Sequence, residues 1–286
     1  MRYLNQLPIL LLAILLTRAG AGDKRTILTV DEPLDENVKS MSIEIEFGFG
    51  EIRLERGNPA KAVTGYMQYD EESIRPSAKY KVEGDRAYFR LVTKSRHRGW
   101  SLDASFDSPE SEIYFTTRVP LDIDFSCGLG EAWLDLGELQ VRELSLENGL
   151  GETTLNFSTL NGVELRSLSV DNGLGELTAL NLSNARTKIL SFDCGLGSAT
   201  LDFRGESRHD MDVEIEVGLG SVSLMIPRGY NVDLDAEENF LSSINARGLE
   251  RLSRSRYRSY DYDPKKPTIR IEASVGLGSI DLLWVD

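Results

Sequence analysis

Apolar and polar residues alternate along most of this chain, and one short figure interrupts the alternation again and again. Seven stretches run as alternating apolar positions closed by Gly-Leu-Gly or, once, Gly-Phe-Gly: Ile43–Gly50, Ile123–Gly130, Leu144–Gly151, Leu168–Gly175, Leu190–Gly197, Val213–Gly220 and Ile271–Gly278. The first glycine of the figure falls at 48, 128, 149, 173, 195, 218 and 276, so the middle spacings are 21, 24, 22 and 23 residues. A period of two predicts strands with one buried face. A repeat near 22 residues predicts units that cover their apolar faces only by stacking on one another. The expected fold is therefore all-β: a single-chain β-solenoid of about eight coils with a period near 22 residues, plus a β insertion near the N-terminus.

Within one copy, Leu144, Leu146, Asn148 and Leu150 share a parity. Beyond the second glycine the parity shifts, and Thr153, Leu155 and Phe157 share the next face, as do Ala199, Leu201 and Phe203 in a later copy. Such a shift across three residues predicts a sharp corner between two strands. Gly128, Gly130, Gly149, Gly151, Gly173, Gly175, Gly195, Gly197, Gly218, Gly220, Gly276 and Gly278 are read as structural turns, supplying backbone angles that residues with a Cβ resist. The same parity places Leu129, Leu150, Leu174, Leu196 and Leu219 in one interior column. The position before the corner reads Phe47, Cys127, Asn148, Asn172, Cys194, Val217 and Val275. Two successive asparagines there predict stacked, mutually hydrogen-bonded amides. Cys127 and Cys194 stand three steps apart, roughly 14 Å at ~4.8 Å per strand. A disulfide needs Cα atoms within about 7 Å, so two buried free thiols are expected. Acids also fall into columns if the copies stack in register: Glu131, Glu152 and Glu176 after the corner, and Glu147, Asp171, Asp193 and Glu216 before it. An eighth, degraded copy is read at Asn239–Ile244, 22 residues beyond Val217–Val222.

The ends of the chain read differently. Residues 1–21 combine Arg2, an apolar run from Leu7 to Leu16 and the small residues Ala19-Gly-Ala21, the pattern of a cleavable signal peptide. The run is too short to span a bilayer, and no later segment looks transmembrane. The mature chain is expected to be exported, to the periplasm or the outside. Residues 22–120 are read as an N-terminal β region holding the first repeat copy and a β insertion, with short strand patterns at Val63–Tyr69, Tyr80–Val82, Ala87–Leu91 and Ile113–Thr116. Residues 121–286 are read as the repeat domain, with an irregular segment at 227–270. The β insertion is read as sitting on or capping the array, since a stacked array exposes an open sheet edge at its end.

Charge narrows the function. The net charge of −14 becomes −16 once Arg2 and Arg18 are removed, which disfavours nucleic acid as a partner. One stretch runs against this balance: Arg247, Arg251, Arg254, Arg256 and Arg258, interleaved with Tyr257, Tyr260 and Tyr262. It fits a loop folded onto the chain's own acidic face, or a loop that docks a partner. The two histidines, His97 and His209, have no second His or Cys at metal-ligand spacing, and no motif frames a nucleophile. No metal, cofactor or catalytic residue is expected. The chain reads as a non-enzymatic binding or scaffold module whose partner is an unidentified envelope protein or glycan. A glycan-active enzyme, of the kind built on parallel β-helices with clustered outer carboxylates, is the alternative class.

The residues Val119–Leu136, joining a β insertion to the first regular coil, and the later coil Leu168–Leu182 resemble the bacterial toast-rack family of exported β-solenoid proteins. Ile226–Val232 together with Ile269–Leu282 is similar to the LiaF-like domain of cell-wall-active antibiotic response proteins. The resemblance implies a repetitive all-β fold, and its LiaF-like part implies a regulatory role in envelope stress.

Overall fold

The computed structural model describes residues 15–18, 25–95, 108–237 and 242–286. Between the first two repeat copies run the strands Lys61–Asp70, Ile74–Glu83, Arg86–Ser95 and Glu110–Phe115, with a tight turn at Gly84 closing the hairpin between the second and third of these. The expected loop at 96–99, with His97, lies outside the described residues, as do Asn239–Leu241 and all of residues 1–21 except Leu15–Arg18. That short segment pairs antiparallel with Thr26–Thr29.

The repeat copies stack in parallel register. In three of them the corner is a turn between two strands: Val141–Asn148 and Glu152–Asn156, Ser167–Asn172 and Glu176–Leu180, Ile189–Cys194 and Ser198–Asp202. Strands before the corner pair with one another, as Leu146 opposite Val170 and Val170 opposite Phe192 show. Strands after it do likewise, Leu155 opposite Ala179 and Ala179 opposite Leu201.

The expected solenoid is not what this pairing builds. Leu121–Asp135 and Met211–Pro227 run through the Gly-Leu-Gly bend as unbroken strands of 15 and 17 residues. Each pairs along its first half with a strand before the corner and along its second half with a strand after it. These two strands therefore join the two ladders at both ends. The eight strands close into a parallel barrel, with the other strands outside it. The barrel interior holds Leu146, Leu155, Phe157, Val170, Leu177, Phe192, Leu201, Phe203, Ile215 and Leu224, all essentially inaccessible to solvent. Asn161 and Asn184 tie down the returns opposite the corner. Their amides donate to Val141 O at 2.7 Å and Phe157 O at 3.0 Å, which satisfies carbonyls that would otherwise be buried unpaired.

Chain order and rung order part company at both ends. Ser40–Arg56 stacks on Leu121–Asp135, and the insertion strands Arg86–Ser95 and Glu110–Phe115 lie outside it. At the other end the last strand, Thr268–Val285, slots against Met211–Pro227, and the earlier segments Asn231–Glu237 and Ser242–Asn245 form the outermost rung. Ser243 pairs with Ser279, which pairs with Ser221, the register expected of the degraded copy. Antiparallel strands then cover most of the edges: Ile74–Glu83 and Lys61–Asp70 at one end, Arg256–Ser259 at the other.

Candidate functional site

The corner is built by backbone contact between glycines. Gly149 N donates to Cys127 O at 2.8 Å, Gly173 N to Asn148 O at 2.7 Å and Gly195 N to Asn172 O at 2.8 Å. The leucine amides continue the series, with Leu150 N to Gly128 O and Leu174 N to Gly149 O, both at 2.8 Å. At the second glycine of each figure the rungs touch. A Cβ on Gly175 would overlap the Gly151 carbonyl oxygen and sit 2.6 Å from Asn148 Nδ2. Only Gly50 and Gly130 of the corner glycines have positive φ, 115° and 134°. The turn residues are therefore fixed mainly by close approach rather than by unusual backbone angles.

The leucine between the glycines points out. Leu129, Leu150, Leu174, Leu196, Leu219 and Leu277 are 41–53 % exposed, so the expected interior column is an exterior ridge. The chain bends at the leucine and the second glycine, at 150–151 and 174–175, so the leucine stands on the outer side of the corner. Rows of acids flank the ridge on both sides, in the register expected. After the corner, Glu110, Glu51, Glu131, Glu152 and Glu176 follow rung by rung, and Ser198, Ser221 and Ser279 complete the row. Before it stand Glu147, Asp171, Asp193 and Glu216. Partial burial, together with the charges of Asp171 and Glu216, holds the Asp193 carboxyl above the usual carboxylate range. Between the ridge and the glutamate row runs an open groove of ≈ 690 Å³, floored by Gly130, Gly151, Gly175, Gly197 and Gly220.

An interior polar line supports the corner from beneath. Asn148 Nδ2 donates to Asn172 Oδ1 at 2.7 Å, and Thr153 Oγ1 donates to Asn148 Oδ1 at 3.0 Å. Asn172 Nδ2 reaches Gly175 O at 3.0 Å, inside its own turn. Cys127 and Cys194 extend the column at either end as free, buried thiols, and burial pushes Cys127 up to about 11.

The basic and aromatic stretch divides into two parts. Arg256 and Arg258 lie on the outer side of their strand and meet Asp233 at 3.9 and 2.7 Å, Tyr257 is buried, and Arg258 lies over the Tyr262 ring at 4.8 Å. The Arg247 carbonyl accepts from Trp284 Nε1 at 2.8 Å. By contrast Arg251, Leu252 and Arg254 occupy an exposed turn, and Tyr260 is 72 % exposed. The exposed turn is carried by the strand outside the outermost rung, beyond the Leu277 end of the ridge. His209 sits at a return, with Nε2 2.6 Å from Thr187 O. Among the described residues no group of His, Cys, Asp and Glu could hold a metal ion, and no helix is long and apolar enough to cross a membrane.

The repeat, the corner glycines and the insertion match a family model, the N-terminal domain of toast_rack (DUF2154), over residues 19–178 and 159–225. The chain belongs to the toast-rack family. Among solved structures, this toast-rack protein is similar to a putative cell adhesion protein from Clostridium sporogenes, with 19 % identity, 92 % of this chain and 99 % of that chain covered and a TM-score of 0.46. A putative adhesin from Bacteroides fragilis follows at 14 % identity, 90 % and 97 % coverage and a TM-score of 0.41. A putative lipid binding protein from Parabacteroides distasonis gives 13 % identity, 93 % and 98 % coverage and a TM-score of 0.33. No curated protein matches. Sequence reasoning missed the leucine ridge of this toast-rack chain. The signal was present in the figure itself, because a leucine bracketed by two glycines has no neighbouring side chains to pack beside it.

Proposed function

We propose that this toast-rack protein is a non-enzymatic binding module whose recognition surface is the leucine ridge between its two acidic rows. The observation that carries this reading is the exposure of six leucines at identical places in a rigid ladder. Contiguous apolar surface rimmed by charge is characteristic of interaction sites rather than of solvated faces. Covering half-exposed leucines is worth about 1 kcal/mol each, or roughly 6 kcal/mol along the ridge. Association itself costs about 4–15 kcal/mol, so apolar burial alone gives weak binding. The carboxylate rows must contribute selectivity, favouring a partner that carries positive charge beside an apolar contact.

Export through a cleavable leader, and action at the cell envelope, are part of this proposal. They rest on the pattern of residues 1–21. Processing there would also remove Leu15–Arg18 from the edge of the Arg25–Pro33 strand. A regulatory role in envelope stress is the narrower version, supported by the LiaF-like resemblance of Ile226–Val232 and Ile269–Leu282.

The test is site-specific photocrosslinking in the cells that make the protein. A photoreactive residue at Leu150 or Leu196 is expected to give one discrete adduct, and the same residue at Thr178 or Thr200, on the outer strand face, none. Equal labelling from both faces, or none from the ridge, would overturn the reading.

A further inference from the structure

The acids after the corner are segregated along the ladder. Glu110, Glu51, Glu131, Glu152 and Glu176 occupy one end of the row, and Ser198, Ser221, Ser279 and Ser243 the other. The exposed basic turn lies beyond the serine end. Its strand Arg256–Ser259 pairs antiparallel with Asn231–Glu237, placing Arg256 opposite Asp235. Glu237 in turn lies opposite Ser274, just ahead of the Gly276 corner. The turn Leu252–Ser255 therefore lies past the Leu277 end of the ridge, on the face before the corner and directed towards it. At its base one exposed leucine, Leu252, stands between Arg251 and Arg254. Hydrogen bonds hold this shape: Leu252 N donates to Arg256 O at 2.8 Å, and Arg251 Nε to Ser253 O at 3.0 Å.

A leucine between arginines complements a leucine row beside glutamates, but within one molecule the turn cannot reach the glutamates that follow the corner. From Glu176 to Ser243 on the outermost rung is four strand steps, about 19 Å, and the turn lies farther out still. No arginine side chain spans that gap. We infer that the occupant of the ridge is a second copy of this chain, whose Arg251–Leu252–Arg254 turn seats on the glutamate end of the neighbour's ridge. The inference rests on the ridge being the binding surface, and it names the partner. The serine half of this row, next to the turn, sets no carboxylate of its own against the neighbour's edge.

Sedimentation velocity of the full chain at 50 and 500 mM salt tests this. Self-association is expected at low salt and at least tenfold weaker association at high salt, since exposed charges are screened within about a Debye length. Reversing the turn (Arg251→Glu with Arg254→Glu) or the row (Glu131→Lys, Glu152→Lys and Glu176→Lys) should each weaken self-association tenfold or more. Mixing the two reversed proteins should restore assembly between them. Leu252→Ser, at an exposed turn where misfolding is not expected, should also weaken it, whereas Thr178→Lys with Thr200→Lys should not. A chain that stays monomeric at 100 μM and low salt, or reversed variants that fail to assemble when mixed, overturns the inference. Ridge crosslinks to a different protein from a monomeric chain would overturn it too, while leaving the ridge as the binding surface.

Discussion

Replacing Gly175 by alanine probes how closely the rungs approach. The new Cβ overlaps the Gly151 carbonyl oxygen and sits 2.6 Å from Asn148 Nδ2. Neither neighbour is free to yield. The oxygen belongs to the rung beneath, and the amide donates to Asn172 Oδ1 at 2.7 Å and to Gly151 O at 3.2 Å. Overpacking of this kind costs about 1–3 kcal/mol, and disturbing a buried amide adds about 1–3 kcal/mol. Stiffening the unfolded chain returns about 0.4–1 kcal/mol. The net expectation is a loss of about 2–4 kcal/mol, or roughly 5–10 °C in melting temperature for a chain of this size. Gly173→Ala should cost less, because its Cβ lies 2.9 Å from the nearest atom, the Gly149 oxygen. Leu174→Ala, at a side chain 53 % exposed, should cost under about 1 kcal/mol, whereas an interior leucine would cost about 2–5 kcal/mol. Thermal and urea unfolding of the three variants gives the order directly. If Leu174→Ala proves more damaging than Gly175→Ala, the leucine is inside and the description of the corner is wrong.

Asn172→Ala should lose about 1–3 kcal/mol, because it removes the side-chain acceptor of the Asn148 amide and the amide donor that Gly175 O and Ser198 O share inside the turn; urea unfolding reads the loss. Asp193→Asn should stabilise the protein at pH 7. A carboxyl held above its unfolded pKa destabilises the folded state when ionised, so the gain should shrink as pH falls through the folded pKa and vanish below the unfolded value; melting temperatures of both proteins between pH 3 and 8 follow it. Cys127 and Cys194 should titrate as two free thiols in the unfolded, unreduced protein; finding none in a monomer would contradict their separation in the column.

Much of this architecture was legible because each copy carries its own register. Aligning the glycines alone placed Asn172 between Asn148 and Cys194, and Asp171 beside Glu147 and Asp193, as the ladder does. Closure was not legible. Whether a strand breaks at the corner, as Val141–Asn148 does, or runs on, as Leu121–Asp135 does, depends on hydrogen bonding across the bend, and the two copies spell nearly the same figure. The outward leucines were misplaced because period-two counting holds along a straight strand and fails inside a bend. The order of the end rungs was hidden as well, since Thr268–Val285 enters between two segments that precede it in the chain. In the 247–262 stretch, the mixed fate of the arginines follows from strand alternation over Arg256–Ser259: Tyr257 and Ser259 face in, while Arg256 and Arg258 lie beside Asp233.

The central claim is that the corner leucines form an exposed ridge over a rigid glycine ladder, and thiol labelling of Leu174→Cys tests it most directly. Both native thiols are buried and serve as internal controls, with Cys127 further protected by its raised pKa of about 11. In the folded variant at pH 8 a maleimide should attach once per chain, at residue 174, within minutes, and three times after unfolding. A folded variant that takes up no label, with all three thiols appearing only on unfolding, would put the leucine column in the core and remove the proposed binding surface.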